Sequence, residues 1–311
     1  MDNSTVRILL AAHNGETYLA AQLDSLLSQD YPHIQIILSD DNSSDATVDI
    51  LARYASEYPD KITHYQSGRI FGSAQKHFMH LLAVFRDAPY IMFCDQDDLW
   101  HPDKVSKSVR HLRSIAAEHE PALVHTDLQV VDGDLTLINP SFCCHSALDG
   151  NRLALHQLLV QNVVTGCTII LNRSLAELAC SVSFTDAILM HDWWLALLAS
   201  ACGKISFLNE STIDYRQHGN NAVGAKNVRS FSYVAARLKS NSMRAALRKT
   251  ADQAAAFRKA FGGRLTPEQK RLLDAFISTR SSNIFRRDYV YLKYRLLKSG
   301  ILRKIAQLLG L

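Results

Sequence analysis

The feature that most constrains the fold is a regular alternation of short apolar runs with helical patterns in the first part of the chain. The apolar runs lie at 6–13, 34–41, 62–67 and 90–95. The segments between them repeat apolar residues at helical spacing, as Leu19 and Leu23 do within 14–29, where Asn14 is available as the helix cap. Strands that are apolar throughout and alternate with helices form a parallel sheet covered on both faces. The sequence therefore predicts an α/β fold.

The later part of the chain has a different pattern. From 122 to 218, apolar runs and short helical patterns indicate a mixed sheet, with a helix that begins near His191 and Asp192. Beyond about residue 226 only helical patterns occur, and 288–311 fits one basic amphipathic helix. We therefore expect a mostly parallel sheet with mixed C-terminal strands, followed by a helical tail.

Polar clusters follow three of the predicted strands at the points where the strands end. They read "AHNGE" after the first strand, "SDDNSSD" after the second and "CDQDD" after the fourth. Ligands of open α/β sheets bind outside the carboxyl ends of the strands. The three clusters are therefore expected to line one crevice.

The cluster "CDQDD" places three carboxylates, Asp95, Asp97 and Asp98, directly after a buried strand. Carboxylates this close repel one another unless a cation or hydrogen bonds compensate them. Asp95 and Asp97 are two residues apart, so at an extended strand end they point to the same side, which suits Mg²⁺ or Mn²⁺ bound to phosphates. No glycine-rich phosphate loop is present to replace such a metal. The alternative is a turn and capping cluster.

Three further positions could carry chemistry, and each has a simpler alternative. Asp40 or Asp41 could accept from a ribose hydroxyl or a base, or could form a turn. Asp192, followed by two tryptophans, could be a general base with raised basicity, or a helix cap beside core residues. His218 lies in a loop rich in Gly and Asn and could turn towards a ligand, or be solvated.

Six stretches, taken in order and spacing, resemble one known family. They are "AAHNGETYLAAQLDSLLSQ", "IILSDDNSSDAT", "DQDDLWHPDKV", "TGCTIILNR", "HDWW" and "YRQHGNN". Together they look like glycosyltransferase family 2, whose members are inverting enzymes of the Rossmann-like GT-A fold, over roughly residues 5 to 220. The last two stretches with "DQDD" are most similar to bacterial rhamnosyltransferase-type members that build O-antigen and other cell-surface polysaccharides. The basic tail is not covered by the resemblance.

The resemblance implies roles for individual residues. The residues expected to border the nucleotide sugar are Ala12, His13, Asn14, Glu16, Asp40, Asp95 and Gln96. It implies that Asp97 and His218 bind the metal, Mg²⁺ or Mn²⁺, and that Asp192 is the general base. The residues expected to contact the acceptor are Gly166, Trp193 and Trp194. Core packing is the alternative for one of the two tryptophans.

The charge of the chain is divided between its two parts. Residues 1–225 contain 14 Lys/Arg and 26 Asp/Glu, a balance of −12, whereas residues 226–311 contain 20 and 4, a balance of +16. Such asymmetry points to an anionic partner for the tail, and a solvated basic helical domain is the alternative. We expect a catalytic domain over 1–225 and, over 226–311, basic helices that contact the anionic inner membrane surface. No recognition motif predicts nucleic acid as a partner.

Composition restricts the location and the class of the chain. It has 311 residues, 47% hydrophobic and 21% charged, without an apolar run of 18 residues, which predicts a globular protein without a transmembrane helix. The N-terminus has no signal pattern, and the six cysteines show no CxxC spacing, so neither a disulfide framework nor a zinc site is predicted. The expected location is the cytoplasm, at the inner face of the membrane.

The function expected from these features is transfer of L-rhamnose from dTDP-L-rhamnose to a lipid-linked glycan. The alternatives are a transferase that uses a UDP-sugar and a nucleotide- or glycan-binding protein without activity. A nucleotidyltransferase is disfavoured, because "AAHNGETYL" has one glycine where a glycine-rich loop would be needed.

Overall fold

A computed structural model describes residues 4–218 and 242–309 of the chain. The strands are β1 Val6–Ala12, β2 Ile34–Asp40, β3 Ile62–His64, β4 Tyr90–Cys94, β5 Leu99–Trp100, β6 Ala122–Val131, β7 Leu137–Asn139, β8 Ile169–Asn172 and β9 Lys204–Arg216. The helices up to residue 218 are α1 Leu19–Leu27, α2 Thr47–Glu57, α3 Ala74–Phe85, α4 Lys104–Ile115, α5 Phe142–His145, α6 Leu155–Leu158, α7 Arg173–Ala179 and α8 His191–Cys202. The helices after residue 242 are α9 Ser242–Phe261, α10 Pro267–Ser278, α11 Ile284–Lys293 and α12 Ile301–Leu309.

The strands form one sheet in the spatial order β3-β2-β1-β4-β8-β6-β9-β5, and β7 pairs with β6. The first four strands in this order are parallel, with Leu10 of β1 opposite Leu38 of β2 and Cys94 of β4. β8 runs antiparallel to both of its neighbours, β6 and β9 are parallel, and β5 is antiparallel to β9. The predicted α/β fold, a mostly parallel sheet with mixed later strands followed by helices, is confirmed.

Apolar residues on both sides of the sheet are buried because each face is covered by helices. One core lies between the sheet and helices that include α1, α2 and α4. The other contains α3, α7 and α8 together with residues of the helices after 242. Trp194 of α8 is 2% exposed, and its ring centroid lies 5.4 Å from Phe257 and 5.8 Å from Phe261 of α9. The helices after residue 242 are therefore packed against α8.

Two local predictions are wrong. Asn14 does not cap α1, which begins at Leu19; Asn14 has a φ of 49°, and its Oδ1 accepts a hydrogen bond from the backbone of Ser44. The segment 288–311 does not form one helix, because α11 ends at Lys293 and α12 begins only at Ile301, after Gly300 at a φ of 79°. Glycine adopts this left-handed conformation without strain, so it allows the chain to reverse between the two helices.

The boundary expected near residue 225 lies outside the described residues, and the division into two domains stays a prediction. No helix within the described part of the chain is both long enough and apolar enough to cross a bilayer.

Candidate active site

Two loops at the carboxyl end of the sheet are joined by hydrogen bonds between the segments 13–16 and 43–47. The backbone nitrogen of Asn14 donates to Ser43 Oγ at 2.8 Å, and that of Gly15 donates to Thr47 Oγ1 at 2.7 Å. Glu16 Oε2 accepts from the backbone of Ala46 at 2.9 Å. The side chains of Asn14 and Glu16 therefore brace the loops after β1 and β2, which fixes the wall of the predicted nucleotide site.

Gln96 joins the loop after β4 to the same wall. Its Oε1 accepts from the backbone nitrogen of His13 at 2.7 Å, and its Nε2 donates to the His13 carbonyl at 3.0 Å. A Cβ at Gly15 would lie 2.4 Å from Gln96 Oε1, so only glycine leaves this side chain in place. In this arrangement the amide of Gln96 binds protein backbone, and any contact with a nucleotide would be made by the loop that it holds.

The two aspartates at the end of β2, Asp40 and Asp41, hold different segments. Asp40 accepts from the backbone of Ser43 at 2.9 Å, which is the turn that the sequence left open as an alternative. Asp41 accepts from the backbone nitrogens of Phe71 at 2.6 Å and Gly72 at 2.9 Å. Asp41 also donates its own backbone nitrogen to the carbonyl of Ala12, which is 1% exposed. These bonds draw the loop before α3 towards the ends of β1 and β2.

Asp97 and His218 meet at the site although 121 residues separate them in sequence. His218 Nε2 lies 2.9 Å from Asp97 Oδ2, and both side chains are partly buried. The pairing of β5 with β9, in which Leu99 faces Asp214, brings the end of β9 to the loop after β4. The two residues predicted to bind a metal are thus adjacent.

Arg216 holds the loop that contains Asp97 and Asp98, a role that the sequence analysis missed. Its Nε donates to the Asp97 carbonyl at 3.0 Å, and its backbone nitrogen donates to Asp98 Oδ1 at 3.2 Å. Its Nη1 donates to the Gly133 carbonyl at 2.6 Å, and its guanidinium lies 4.5 Å from the ring centroid of Tyr18. The signal in the sequence was the motif "YRQHGNN" itself, in which the arginine stands two residues before the histidine.

Asp192 lies in the first turn of α8, with 7% of its surface exposed. Its Oδ1 accepts from Asn162 Nδ2 at 3.1 Å and from the backbone nitrogen of Trp193. Burial raises the pKa of Asp192 to about 7, although these hydrogen bonds act in the opposite direction. Asn162 is itself held by the backbone of Val164, at 2.8 and 3.1 Å. Sequence reasoning missed Asn162, which stands 30 residues before its partner.

Asp95 connects the two halves of the site electrostatically. Its pKa is raised to about 7, first by its enclosed surroundings and then by the negative charges of Asp97 and Asp192. The charges of the expected general base, Asp192, and of the expected metal ligand Asp97 therefore both act on Asp95.

The residues expected to contact the acceptor have different environments. A Cβ at Gly166 would lie 2.6 Å from Nε2 of the buried His191, so this glycine is required for packing whatever its role towards an acceptor. The expectation that Trp194 contacts a sugar is corrected, because it is 2% exposed and packs in the core. Trp193 is partly buried and donates from its ring nitrogen to the Leu158 carbonyl at 2.6 Å.

Among the residues that the structure describes, two sets could hold a divalent metal. Asp95, Asp98 and Cys167 offer ligand atoms within 4.8 Å of one another. However, Asp98 and Cys167 are fully buried beside the Lys104 ammonium, which repels a cation, and a thiol suits softer metals than Mg²⁺. Asp97 and His218 are partly exposed, where a diphosphate can reach them. The donor set at Asp97 and His218, with Asp95 beside it, fits the predicted metal better.

Solved structures that bind nucleotide sugars have the same fold. Staphylococcus aureus TarS in complex with UDP-GlcNAc has a TM-score of 0.57 with 14% identity, over 93% of this chain and 80% of that one. The mannosyltransferase PcManGT of Pyrobaculum calidifontis, in complex with GDP-Man and Mn²⁺, has a TM-score of 0.56 with 16% identity, over 93% and 73%. The fold is that of the GT-A glycosyltransferases.

Sequence comparisons agree with the family that the motifs indicate. Residues 7–148 match the model of Glycosyl transferase family 2, so this part of the chain is similar to that family of glycosyltransferases. The dTDP-rhamnosyl transferase RfbG of Shigella flexneri is 28% identical over 224 residues, which are 70% of this chain and 74% of RfbG. An uncharacterised protein of Mycobacterium tuberculosis is 26% identical over 224 residues, which are 68% of this chain and 59% of that protein. The resemblance stated from the motifs is confirmed.

Proposed function

We propose that the chain transfers L-rhamnose from dTDP-L-rhamnose to a hydroxyl group of a lipid-linked cell-surface glycan, with inversion at the anomeric carbon. The observation that carries the proposal is the Asp97–His218 contact after β4, beside Asp95, whose pKa is raised by burial and by the charges of Asp97 and Asp192. The similarity to a dTDP-rhamnosyl transferase supports the donor. A UDP-sugar is the alternative donor. The two donors differ in the nucleotide base, so the preference of the protein for dTDP or UDP distinguishes them.

The reaction needs one base and one leaving group. The Asp192 carboxylate accepts the proton of the acceptor hydroxyl while the hydroxyl oxygen forms a bond to the anomeric carbon. The bond from that carbon to the diphosphate oxygen breaks, and the nucleoside diphosphate leaves. A carboxyl whose pKa is near 7 is a stronger base than an ordinary aspartate and is still substantially ionised at neutral pH. Asn162 orients it by hydrogen bonding.

Asp97 and His218, with Asp95 beside them, would hold Mg²⁺ or Mn²⁺. When bound, the metal offsets the negative charge that develops on the departing diphosphate. Carboxylate oxygens suit both ions, so Mg²⁺ and Mn²⁺ are the two candidates at this site.

The proposed acceptor places the reaction at the cytoplasmic face of the inner membrane. Residues 226–311 supply the positive charge that such a surface attracts, about 1 kcal/mol for each Lys or Arg that lies close to it. In this proposal the chain is a peripheral membrane protein with a catalytic domain over 1–225 and a basic helical region over 226–311.

Titration calorimetry with dTDP and UDP, with and without Mn²⁺, tests the proposal. We expect dTDP to bind more tightly than UDP, and only with Mn²⁺. Asp97→Ala should abolish this metal-dependent binding, whereas Asp60→Ala, which changes an exposed carboxylate outside the site, should not. Binding of neither nucleotide, or binding indifferent to Mn²⁺ and to Asp97, would contradict the proposed reaction. Preference for UDP would favour the alternative donor.

A further inference from the structure

Large apolar side chains are exposed in unusual density near the C-terminal end of the described chain. Of the fifteen exposed large apolar side chains in the described residues, eight lie within 284–309. The six most exposed of these eight, from 84% for Phe285 to 56% for Leu309, are Phe285, Tyr289, Leu292, Ile301, Leu302 and Leu309. Scattered exposed apolar residues are normal on a protein surface, whereas a concentration of them marks an interaction site.

The eight side chains belong to two helices that lie side by side. Arg287 Nη2, near the start of α11, donates to the Leu308 carbonyl at the end of α12, at 2.6 Å. Gln307 is fully buried between the helices, and its Nε2 donates to the Leu296 carbonyl at 2.8 Å. We call residues 284–309 the C-terminal hairpin. Buried polar side chains of the hairpin are bonded to its backbone, Tyr291 and Leu296 are buried, and the eight apolar side chains are exposed.

The hairpin carries strong positive charge beside its exposed apolar residues. It contains seven Lys/Arg and one acidic residue, Asp288, which is paired with Arg287 at 2.8 Å. Arg286, Lys293 and Arg295 are exposed. Helices that combine exposed Phe and Leu with Lys and Arg bind in the headgroup region of anionic bilayers, where both kinds of side chain are satisfied.

The hairpin is attached to the segment that holds the expected general base. The backbone nitrogen of Ser299 donates to Gln161 Oε1 at 2.7 Å, and Arg303 Nη2 donates to the Ser146 carbonyl at 2.6 Å. Gln161 directly precedes Asn162, whose side chain donates to Asp192. The hairpin and the base are thus connected through one short, hydrogen-bonded segment.

We propose that the C-terminal hairpin inserts its exposed apolar side chains into the headgroup region of an anionic bilayer. Its attachment at residues 146–161 then fixes the side of the site that contains Asp192 relative to the bilayer surface. The proposal rests on the proposed function for the nature of the acceptor, whereas binding to the bilayer does not depend on the donor.

Sedimentation of the full chain with vesicles tests the proposal. The vesicles contain phosphatidylcholine, alone or with phosphatidylglycerol. We expect binding to the mixed vesicles, and a loss of at least about tenfold in partitioning for Phe285→Ser combined with Ile301→Ser and Leu302→Ser, since each removes apolar surface from the bilayer. The matched control, Leu137→Ser with Ile138→Ser, changes side chains that are 54% and 50% exposed on β7, and should bind like the unaltered chain.

A second variant, Arg286→Gln with Lys293→Gln, keeps the apolar residues and should weaken binding to the anionic vesicles in a salt-dependent way. Binding unchanged in both hairpin variants would overturn the proposal.

Sedimentation velocity without vesicles is the other decisive measurement. An oligomer that dissociates in the serine variant would assign the hairpin to a second copy of the chain and overturn the proposal. Calorimetry with dTDP and Mn²⁺ on the same proteins separates the identity of the donor from binding to the bilayer. Failure of dTDP to bind would count against the proposed donor, and the result for bilayer binding would still hold.

Discussion

At the scale of single residues, the proposed chemistry depends on Asp192, a buried carboxylate that accepts hydrogen bonds from the Asn162 amide and the Trp193 backbone nitrogen. Among the described residues it has no cationic partner, so burial dominates and its pKa rises to about 7. Asp192→Asn keeps the shape and removes the base, and we expect kcat to fall by about 10²- to 10⁴-fold. Asp186→Asn, which changes an exposed carboxylate before the same helix, should leave kcat unaltered. Steady-state transfer assays measure both.

The pH dependence of the reaction follows from the same shift. Because the pKa is raised, the base is protonated below about pH 7 and ionised above it. We therefore expect kcat to rise with pH by about tenfold per unit below 7 and to level off above it. A profile that is flat between about pH 5.5 and about pH 8 would argue against Asp192 as the base.

Gly15 and Gln96 should act as a unit. A methyl group at position 15 would displace the Gln96 amide, which would lose both of its hydrogen bonds to His13. Gly15→Ala and Gln96→Ala should therefore each weaken dTDP binding, and the double variant should be little worse than either single one. Gly263→Ala, where an added Cβ meets no atom within 4 Å, is the control. Losses that add in the double variant would mean that the two residues act separately.

Sequence reasoning identified the site residues that stand in compact local motifs and missed those whose roles depend on contacts with distant segments. Asp95, Asp97 and Asp192 stand in compact motifs beside apolar runs, so their chemistry is visible locally. Asn162 acquires its role only from a contact with a residue 30 positions away, and an isolated polar residue gives no sign of such a contact. Arg216 stands in the motif "YRQHGNN", but its contact with Asp97 spans 119 residues and cannot be derived from the motif alone. Gln96 was identified as a ligand residue, but its side chain is committed to the backbone of His13.

At the scale of elements, periodicity predicted the strand and helix units of the first half because burial on one or both faces determines their apolar pattern. It failed where a single backbone conformation decides the outcome. The break between α11 and α12 follows from Arg295 and Gly300 at positive φ, within a segment whose apolar spacing continues on both sides. The two-residue strand β5 was missed because it is defined by its pairing with β9.

The contact between α8 and α9 is a testable link between elements. Trp194 packs against two phenylalanines of α9 and is 2% exposed, so Trp194→Ala should lower the free energy of unfolding by about 3 to 5 kcal/mol. Phe285→Ala, at a side chain that is 84% exposed, should change it by less than about 0.5 kcal/mol. Denaturant unfolding followed by circular dichroism measures both. Equal stability of the two variants would mean that α9 contributes little to the core.

At the scale of the whole molecule, the basic helices are part of the core as well as a source of charge. Leu247, Ala254, Phe257 and Phe276 are buried in the same cluster as residues of α3 and α8. A chain that ends at residue 225 would expose this apolar surface, and we expect it to aggregate or to unfold at a lower temperature than the full chain. Size-exclusion chromatography and thermal unfolding check this. A stable, monomeric 1–225 fragment that binds dTDP would show that the catalytic domain is independent of the helices.

The pairing of β5 with β9 has a consequence for the order in which the protein matures on the ribosome. Asp97 is synthesised early, but it gains His218 and the bracing by Arg216 only after β9 has been made and has paired with β5. Pairings between distant segments form late, because a long loop must close before they contribute. A nascent chain that lacks β9 would carry the three carboxylates without the histidine, so the capacity to hold a nucleotide diphosphate should arise only once most of the polypeptide has been translated.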